Sequence, residues 1–255
     1  MDGALRVTLV ANAGLLLEFD GVRILMDAIY GRKGHPFSNL RPEMWEELLA
    51  GEPPFDHIDY LFFTHRHPDH FTPRMVLEYL KVRHVRGVFM PQCEEAERCG
   101  LTGFLKEHHI PCVELSPLTN RASFRIEPRI VVRPIQTWHL DEQFRGVPHF
   151  CFLINFGGRQ VLFTADADYV HERFEQLSGT FLSAVFINPL FFNAIRSGHF
   201  FRGQFNTARY CIYHIPFSGE DSLKMRDSLA RDVLRWPLDG PEVDILCDPL
   251  QHIEL

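Results

Sequence analysis

Cysteine is scarce and irregularly spaced in this chain. The six cysteines are scattered through 255 residues and form neither a CxxC pair nor the regular spacing of a disulfide framework. This pattern excludes a small scaffold stabilised by disulfide bonds. We expect free thiols that are mostly buried, although Cys93 and Cys99 are close enough in sequence to pair on oxidation.

Long apolar runs are also absent. No run of about eighteen or more apolar residues occurs, whereas a membrane-spanning helix needs about 20. The first residues, MDGALRVTLV, lack the basic start and the small-residue cleavage site of a signal peptide. We therefore predict a cytoplasmic protein that makes no membrane contact.

Basic residues are fewer than acidic residues in this chain. The formal net charge is −7 at pH 7, whereas proteins that bind nucleic acids present basic patches to the phosphate backbone. This balance argues against a nucleic-acid partner and favours a small-molecule substrate. The oligomeric state stays open.

The chain also lacks a Gly- or Ser-rich linker and any low-complexity tract that would divide it. Its composition, 45% hydrophobic and 23% charged, is typical of a globular protein, and 255 residues suffice for a full core. We predict one domain over residues 1–255.

Two similar segments indicate an internal duplication of one αβ unit. Asp20-Gly21 and Gly157-Gly158 each separate two apolar runs, and both pairs suit the positive φ angles of a type I′ hairpin turn. Each hairpin brings an aspartate, Asp27 or Asp166, to the end of its second strand. We predict an α/β fold in which the strands are stacked inside and the helices lie outside.

Helical patterns lie between the strands. Thr72 and Pro73 combine a capping residue with a proline at the first helical position, so we expect a helix from Pro73. Apolar residues then share one face: Met75, Val76, Tyr79 and Leu80. A later apolar pattern from Met225 to Trp236 predicts a second helix that ends near Pro237, followed by a strand in VDILC.

Three histidines and an aspartate crowd the end of one apolar run, in LFFTHRHPDHFT. The proline after His67 disfavours helical geometry there, so the chain stays extended and His65 and His67 point the same way. The turn at that proline can bring Asp69 and His70 back to the same space. Imidazole and carboxylate are ligands that Zn²⁺ prefers. The segment therefore predicts a metal site.

One segment cannot enclose two metal ions, and further donors follow other apolar runs. His139, Asp166 and His214 each lie where a predicted strand gives way to a loop. Such positions are typical of a site built on a rigid sheet. We expect these three side chains to join the histidine cluster.

The segment from His65 to His70 resembles the H-x-H-x-D-H signature of the metallo-β-lactamase superfamily. The order of Asp27, His139, Asp166 and His214 along the chain is similar to the order of that family's other motifs. The resemblance covers nearly the whole chain. It implies a four-layer αββα sandwich, made of two pseudo-duplicated αβ halves, with a dinuclear metal centre at one edge.

The resemblance also implies a ligand set for two metal ions: His65, His67 and His139 for one, and Asp69, His70 and His214 for the other. Asp166 would bridge the two ions, and Asp27 would orient a ligand from behind. We expect two Zn²⁺ ions, with Mn²⁺ or Fe²⁺ as alternatives. Many relatives carry glycine before the bridging aspartate, where this chain has Ala165.

Two cations held in this way would activate a water molecule for hydrolysis, and Asp69 would orient that water or relay its proton. Asp69 and Asp27 are therefore the expected catalytic residues. The implied substrate is a small ester, lactone or phosphodiester. The start of the chain, LVANAGLLLEFDGVRILMDA, looks most like the branch that contains ascorbate-6-phosphate lactonase and related uncharacterised hydrolases.

A Phe-rich stretch, residues 189–206, is the predicted source of substrate contacts. Phe191 would line an apolar pocket, and Arg196, His199 or Arg202 would meet an anionic group. The alternative is that the phenylalanines pack beneath a long loop.

Two alternatives to a hydrolase stay open. The first is an iron-dependent, dioxygenase-like oxidoreductase on the same fold, and the second is a metal-binding protein without turnover. Di-iron relatives tend to carry Glu where His67 stands, which favours hydrolysis, although mononuclear-iron dioxygenases keep the histidine.

Overall fold

The computed structural model describes residues 3–31, 35–120, 122–198 and 205–255, apart from the side chain of His171. Within these ranges the strands form two seven-stranded sheets and one two-stranded sheet. The first six strands are β1 (Arg6–Leu9), β2 (Leu15–Phe19), β3 (Val22–Met26), β4 (Tyr60–Phe62), β5 (Gly87–Pro91) and β6 (Cys112–Leu115). The next nine are β7 (Phe124–Glu127), β8 (Ile130–Thr137), β9 (His149–Phe156), β10 (Arg159–Phe163), β11 (Phe181–Leu182), β12 (Ala184–Ile187), β13 (Asn206–Thr207), β14 (Arg209–Ile212) and β15 (Glu242–Ile245). The last strand is β16 (His252–Glu254).

The two large sheets share one plan. The first has the order β16-β1-β2-β3-β4-β5-β6 and the second has the order β15-β14-β12-β10-β9-β8-β7. In each sheet an antiparallel meander leads into parallel strands, which begin at β3 in the first sheet and at β10 in the second. This repetition agrees with the predicted pair of αβ halves. Strand β16, which was not predicted from the sequence, pairs antiparallel with β1 at the edge of the first sheet.

Both predicted hairpins are present with the expected turn conformation. Asp20 and Gly21 have φ angles of 50° and 75°, and Gly157 and Gly158 have φ angles of 62° and 101°. Two successive positive φ angles match the right-handed twist of the flanking strands. The turns therefore fix the register of β2 with β3 and of β9 with β10, and so decide where Asp27 and Asp166 leave the sheet.

The helices cover the outer faces of the sheets. Those packed on the first sheet are α1 (Pro42–Ala50), α2 (Pro73–Val82), α3 (Glu94–Arg98) and α4 (Leu101–Glu107), and those on the second are α5 (Pro189–Ser197) and α6 (Met225–Val233). Pro73 begins α2 as predicted, but the Thr72 side chain makes no capping hydrogen bond. The last helix, α6, ends at Val233, earlier than the predicted end near Pro237.

Three apolar clusters separate the layers. The central cluster lies between the two sheets, where the rings of Phe62 in β4 and Phe152 in β9 have centroids 5.0 Å apart. The other two lie beneath α1–α4 and beneath α5–α6. The layers therefore follow the αββα order predicted for the metallo-β-lactamase fold.

Two further features bear on the sequence predictions. Among the described residues, no helix combines the length and apolar character needed to cross a membrane. All six cysteines are free thiols, and burial raises the pKa of Cys151 to about 12.

Candidate metal centre

The candidate site lies where several strands end at one edge of the sandwich. Asp27 follows β3, the segment from His65 to His70 follows β4, and His139 follows β8. Asp166 follows β10 and His214 follows β14. Strands that point the same way end at the same edge of a sheet, so residues far apart in sequence meet there.

The structure brings all seven predicted ligands together in two groups. The donor atoms within each group lie within 4.8 Å of one another: His65, His67, His139 and Asp166 in the first, and Asp69, His70, Asp166 and His214 in the second. Asp166 is the residue that belongs to both. The division agrees with the ligand sets that the family resemblance implies.

The Asp166 carboxylate lies among four imidazoles. Its Oδ2 lies 3.1 Å from His70 Nε2, 3.5 Å from His139 Nε2 and 3.8 Å from His65 Nε2. Its Oδ1 lies 3.2 Å from His214 Nε2. Burial raises the pKa of Asp166, but the neighbouring His214 and His70 outweigh burial and hold that pKa well below its usual range.

Asp69 faces the second group from a greater distance. Its Oδ2 lies 3.8 Å from His214 Nε2 and 3.9 Å from His70 Nε2, and the residue is only 6% exposed. These distances are too long for direct hydrogen bonds. The carboxylate is therefore able to serve a cation or a water molecule held beside the two imidazoles.

Asp27 organises the histidines from behind. Its carboxylate accepts hydrogen bonds from the backbone N–H of Thr64 at 2.8 Å and from the Thr64 hydroxyl at 2.6 Å. His70 Nδ1 lies 3.1 Å from Asp27 Oδ2, and His65 Nδ1 lies 3.0 Å from the same Thr64 hydroxyl. Because that hydroxyl donates to Asp27, it accepts from His65 Nδ1–H. His65 Nε2 then keeps its lone pair for a cation, and His70 turns Nε2 toward the same donor group, where a cation can replace its proton.

The role of Thr64 was not predicted from the sequence, where its only signal is its position directly before His65. Nor was the role of Asn12, which is fully buried after β1 and lies with Nδ2 2.8 Å from His214 Nδ1. The Asn12 Oδ1 atom is buried and has no hydrogen-bond partner. The two ends of an amide are assigned from their neighbours, and rotating this amide by half a turn lets Oδ1 accept from His214 Nδ1–H. That orientation leaves His214 Nε2 available to a cation.

We expect Asn12→Ala to weaken zinc binding by about 10- to 100-fold, because His214 loses the hydrogen bond that fixes its ring. Competition between the purified protein and a chromogenic zinc chelator measures this affinity. Asn155→Ala is the matched control, since Asn155 accepts a hydrogen bond from Gly158 at 2.7 Å in the hairpin turn, away from the metal ligands. Equal zinc affinity for Asn12→Ala and the control would contradict the role of Asn12.

Another buried imidazole, that of His149, was not predicted from the sequence and packs behind the first group. The His149 ring centroid lies 4.8 Å from that of His65, and Nδ1 lies 2.7 Å from the Thr137 hydroxyl. Burial lowers the pKa of His149 well below its usual range. His149 belongs to neither donor group, so it packs against a ligand histidine as a neutral ring.

The electrostatics of the site favour neutral imidazoles at His65 and His67. Burial lowers the pKa of His65 well below its usual range, with a further contribution from His70. Burial together with His139 lowers the pKa of His67 to about 4. Burial also lowers the pKa of His70, but the carboxylates of Asp166 and Asp27 outweigh it and raise that pKa well above its usual range. A cation that binds at His70 therefore displaces a proton.

The backbone is strained at three positions in the site. Asp27, Ala165 and His214 have φ angles of 47°, 45° and 63°, in the left-handed region that costs a non-glycine residue about 1–2 kcal/mol. Ala165 is held there because its N–H donates to the Tyr213 hydroxyl at 3.1 Å and its carbonyl accepts from Asn188 at 2.9 Å. These contacts hold an alanine in a left-handed conformation that glycine adopts more easily.

The donor set fits a pair of cations. The Nε2 atoms of His65 and His139 are buried and have no hydrogen-bond partner. His70 Nε2 and His214 Nε2 lie 3.0 Å apart, so two ring nitrogens converge on one small space beside a carboxylate. Imidazole and carboxylate donors that lie this close together are typical of binding sites for zinc and other divalent transition metals.

A cavity of about 1040 Å³ opens beside the donor groups and extends to α5. Arg196, a predicted substrate contact, lies on the cavity wall, and its guanidinium pairs with Asp232 at 3.2 Å and contacts Asn193 at 2.8 Å. The expectation that Phe191 lines the pocket is wrong: Phe191 is fully buried and packs against Phe174 beneath α5. Its neighbours on the exposed side of the helix form the wall instead. The predicted contacts His199 and Arg202 lie outside the described residues.

Residues 22–202 match the family model described as the beta-lactamase superfamily domain. No curated protein matches the chain. Among solved structures, Igni18, a novel metallo hydrolase from the hyperthermophilic archaeon Ignicoccus hospitalis, is similar at 13% identity with a TM-score of 0.64, covering 99% of this chain and 98% of that chain.

Two further solved structures are similar to this chain. The metallo-beta-lactamase fold protein YhfI from Bacillus subtilis is 15% identical with a TM-score of 0.65, and the match covers 100% of each chain. The diiron β-hydroxylase CmlA from Streptomyces venezuelae is 19% identical with a TM-score of 0.60, covering 100% of this chain and 54% of that chain. At these identities the likeness concerns the fold alone.

Proposed function

The chain belongs to the beta-lactamase superfamily and has the metallo-β-lactamase fold, and from this premise we propose that it is a metal-dependent hydrolase with two zinc ions. The proposed substrates are esters, lactones or phosphodiesters, and the proposed location is the cytoplasm. The observation that carries the proposal is the pair of donor groups that share Asp166.

We propose that each donor group holds one cation and that Asp166 contacts both. When bound, the cations would lower the pKa of a water molecule and polarise the carbonyl or phosphoryl group that it attacks. Asp69, with its Oδ2 3.8 Å from His214 Nε2, would orient the attacking water and accept its proton. Asp27 would keep the His70 ring and, through Thr64, the His65 ring in position.

The test begins with the metal content of the purified protein, for which we expect about two equivalents of tightly bound zinc per chain. A panel of esters, lactones and phosphodiesters then identifies a substrate that is hydrolysed only by the metal-loaded protein. His67→Ala is expected to abolish this hydrolysis. His252→Ala is the matched control, because this exposed imidazole in β16 belongs to neither donor group.

Two other outcomes would favour the alternatives. Bound iron with oxygen consumption would support an oxidoreductase. This alternative is retained because the diiron β-hydroxylase CmlA has a similar fold. Bound metal without turnover of any member of the panel would support a binding protein. A protein that binds no metal would contradict the hydrolase proposal itself.

A further inference from the structure

The walls of the cavity narrow the class of substrate that the proposed hydrolase accepts. Two phenylalanines lie against the metal-binding histidines. The Phe144 ring centroid lies 4.6 Å from that of His67 and 5.2 Å from that of His139. The Phe37 ring centroid lies 4.6 Å from that of His214, edge to face. A substituent on the reacting group of the substrate therefore extends away from the metal centre between the rings of Phe37 and Phe144.

Beyond these rings the α5 side of the wall is mostly apolar or neutral, with Arg196 as its charged residue. Leu190 is 56% exposed and Ala194 follows one helical turn later, while Asn193 and Ser197 supply neutral polar atoms. Met225, at the start of α6, closes the same wall. Surfaces of this kind hold an apolar group and fix its orientation with a few hydrogen bonds.

The charges on the described wall are unfavourable to an anion. Asp141 and Glu142 are carboxylates of the segment that follows His139, and both line the cavity. The exposed Glu142 side chain also pairs with Arg145 at 3.3 Å. The described wall has one cationic side chain, Arg196, and its guanidinium is engaged with the Asp232 carboxylate at 3.2 Å. An anionic substituent that extends away from the two proposed cations toward this segment would meet like charges, and the one cationic side chain there is already paired.

We infer that the substrate is an uncharged carboxylic ester or lactone with a bulky apolar acyl or aryl group, and not a phosphorylated or otherwise anionic compound. This inference rests on the proposed hydrolase function. A cavity of about 1040 Å³ lies at the upper end of the range for small-molecule sites, which is about 300–1,000 Å³. The group that it accepts is therefore larger than an acetyl group.

Matched p-nitrophenyl esters test the inference on the zinc-loaded protein. We expect kcat/KM to be at least about tenfold higher for the hexanoate than for the acetate, because added methylenes are buried. We expect it to be at least about tenfold lower for the hexanedioate monoester, which has the same chain length and a terminal carboxylate. A flat chain-length dependence, or preference for the anionic ester, would overturn the inference while leaving the hydrolase proposal intact.

Substitutions in the cavity wall test whether this wall causes the preference for the longer ester. Leu190→Asn and Phe144→Ala are expected to lower the ratio of hexanoate to acetate kcat/KM by at least about threefold. Leu234→Asn is the matched control, since Leu234 is 86% exposed and does not line the cavity, and it should leave both rates unchanged. Equal ratios for all three variants and the parent protein would count against the assignment of this wall.

A binding measurement separates failure of the inference from failure of the proposed function. Titration calorimetry with N-hexylbenzamide and with 4-(hexylcarbamoyl)benzoate compares the same shape without and with a carboxylate, in zinc-loaded and zinc-stripped protein. If no ester is hydrolysed but the neutral amide binds at least about tenfold more tightly, the hydrolase proposal fails, and the part of the inference that stands is the preference of the cavity for an uncharged apolar ligand. Tighter binding of the acid, equal binding of both compounds, or binding of neither would overturn the inference.

Discussion

Asp166→Asn is expected to lower metal-dependent kcat/KM by at least about a thousandfold, which corresponds to about 4 kcal/mol at the transition state. The Asp166 carboxylate belongs to both donor groups, and the Nε2 atoms of His70, His139, His65 and His214 all lie within 3.8 Å of it. Asparagine keeps the shape but loses the charge, so it cannot balance two cations. We also expect the zinc content to fall below two equivalents per chain, measured by elemental analysis after dialysis.

The control for this substitution is Asp168→Asn. Asp168 is also buried, at 7% exposure, and lies two positions along the chain, but it belongs to neither donor group. The control should keep both the zinc content and the activity of the parent protein. An Asp166→Asn protein that still binds two zinc ions and hydrolyses substrate at the parent rate would contradict the bridging role.

Removal of the metal is expected to lower the thermal midpoint by about 8–16 °C. Free zinc at a thousand times its dissociation constant stabilises a folded protein by about 4 kcal/mol, and each kcal/mol moves the midpoint of a chain of about this size by about 2–4 °C. The effect is large here because His65, His70 and His214 are at most 3% exposed. Without a cation, His70 Nε2 and His214 Nε2 contact each other at 3.0 Å, and the buried His65 Nε2 has no hydrogen-bond partner.

Thermal unfolding followed by circular dichroism, with zinc and with a chelator, measures this shift. The Asp166→Asn protein provides the control, because its midpoint should respond much less to zinc. Coincident unfolding curves for the parent protein in zinc and in chelator would mean that the donor groups hold no cation with useful affinity. That result would also remove the basis of the proposed function.

Local sequence signals determined the parts of the fold that depend on few residues. The turns at Asp20-Gly21 and Gly157-Gly158 adopt the predicted positive φ angles, because type I′ geometry demands residues of this kind. Pro73 begins α2 as predicted. The histidines of the H-x-H-x-D-H segment cluster because two of them share one side of an extended chain and the third returns after a turn. Each of these outcomes is fixed within about six residues of sequence.

The ligands that lie far from the histidine cluster in sequence could not be placed by local signals alone. His139, Asp166 and His214 follow apolar runs, and that position alone gave a reason to expect them at strand ends. Their division into two groups came from the family resemblance, since nothing in their spacing says which strands are neighbours. The structure joins them because β8, β10 and β14 end at one edge of the same sheet.

The boundaries of helix α5 could have been predicted from the sequence, but the segment was treated as a loop. Asn188 caps the helix by accepting a hydrogen bond from the Phe191 N–H at 2.9 Å, Pro189 is its first residue, and Gly198 ends it with a φ of 80°. These are ordinary helix boundary residues. With a helix assigned, its 3.6-residue period turns Phe191 toward the core and Leu190 toward the cavity, which reverses the expectation for Phe191.

The sequence by itself determined the hairpins, the start of α2, the histidine cluster and, through the family signature, the chemistry of the donor set. Only the tertiary structure decided that Asn12 contacts His214, that Phe37 and Phe144 lie against the ligand histidines, and that Arg196 pairs with Asp232. The physical reason is that a turn or a helix start depends on adjacent residues, whereas these contacts depend on which remote segments the two sheets bring to one edge.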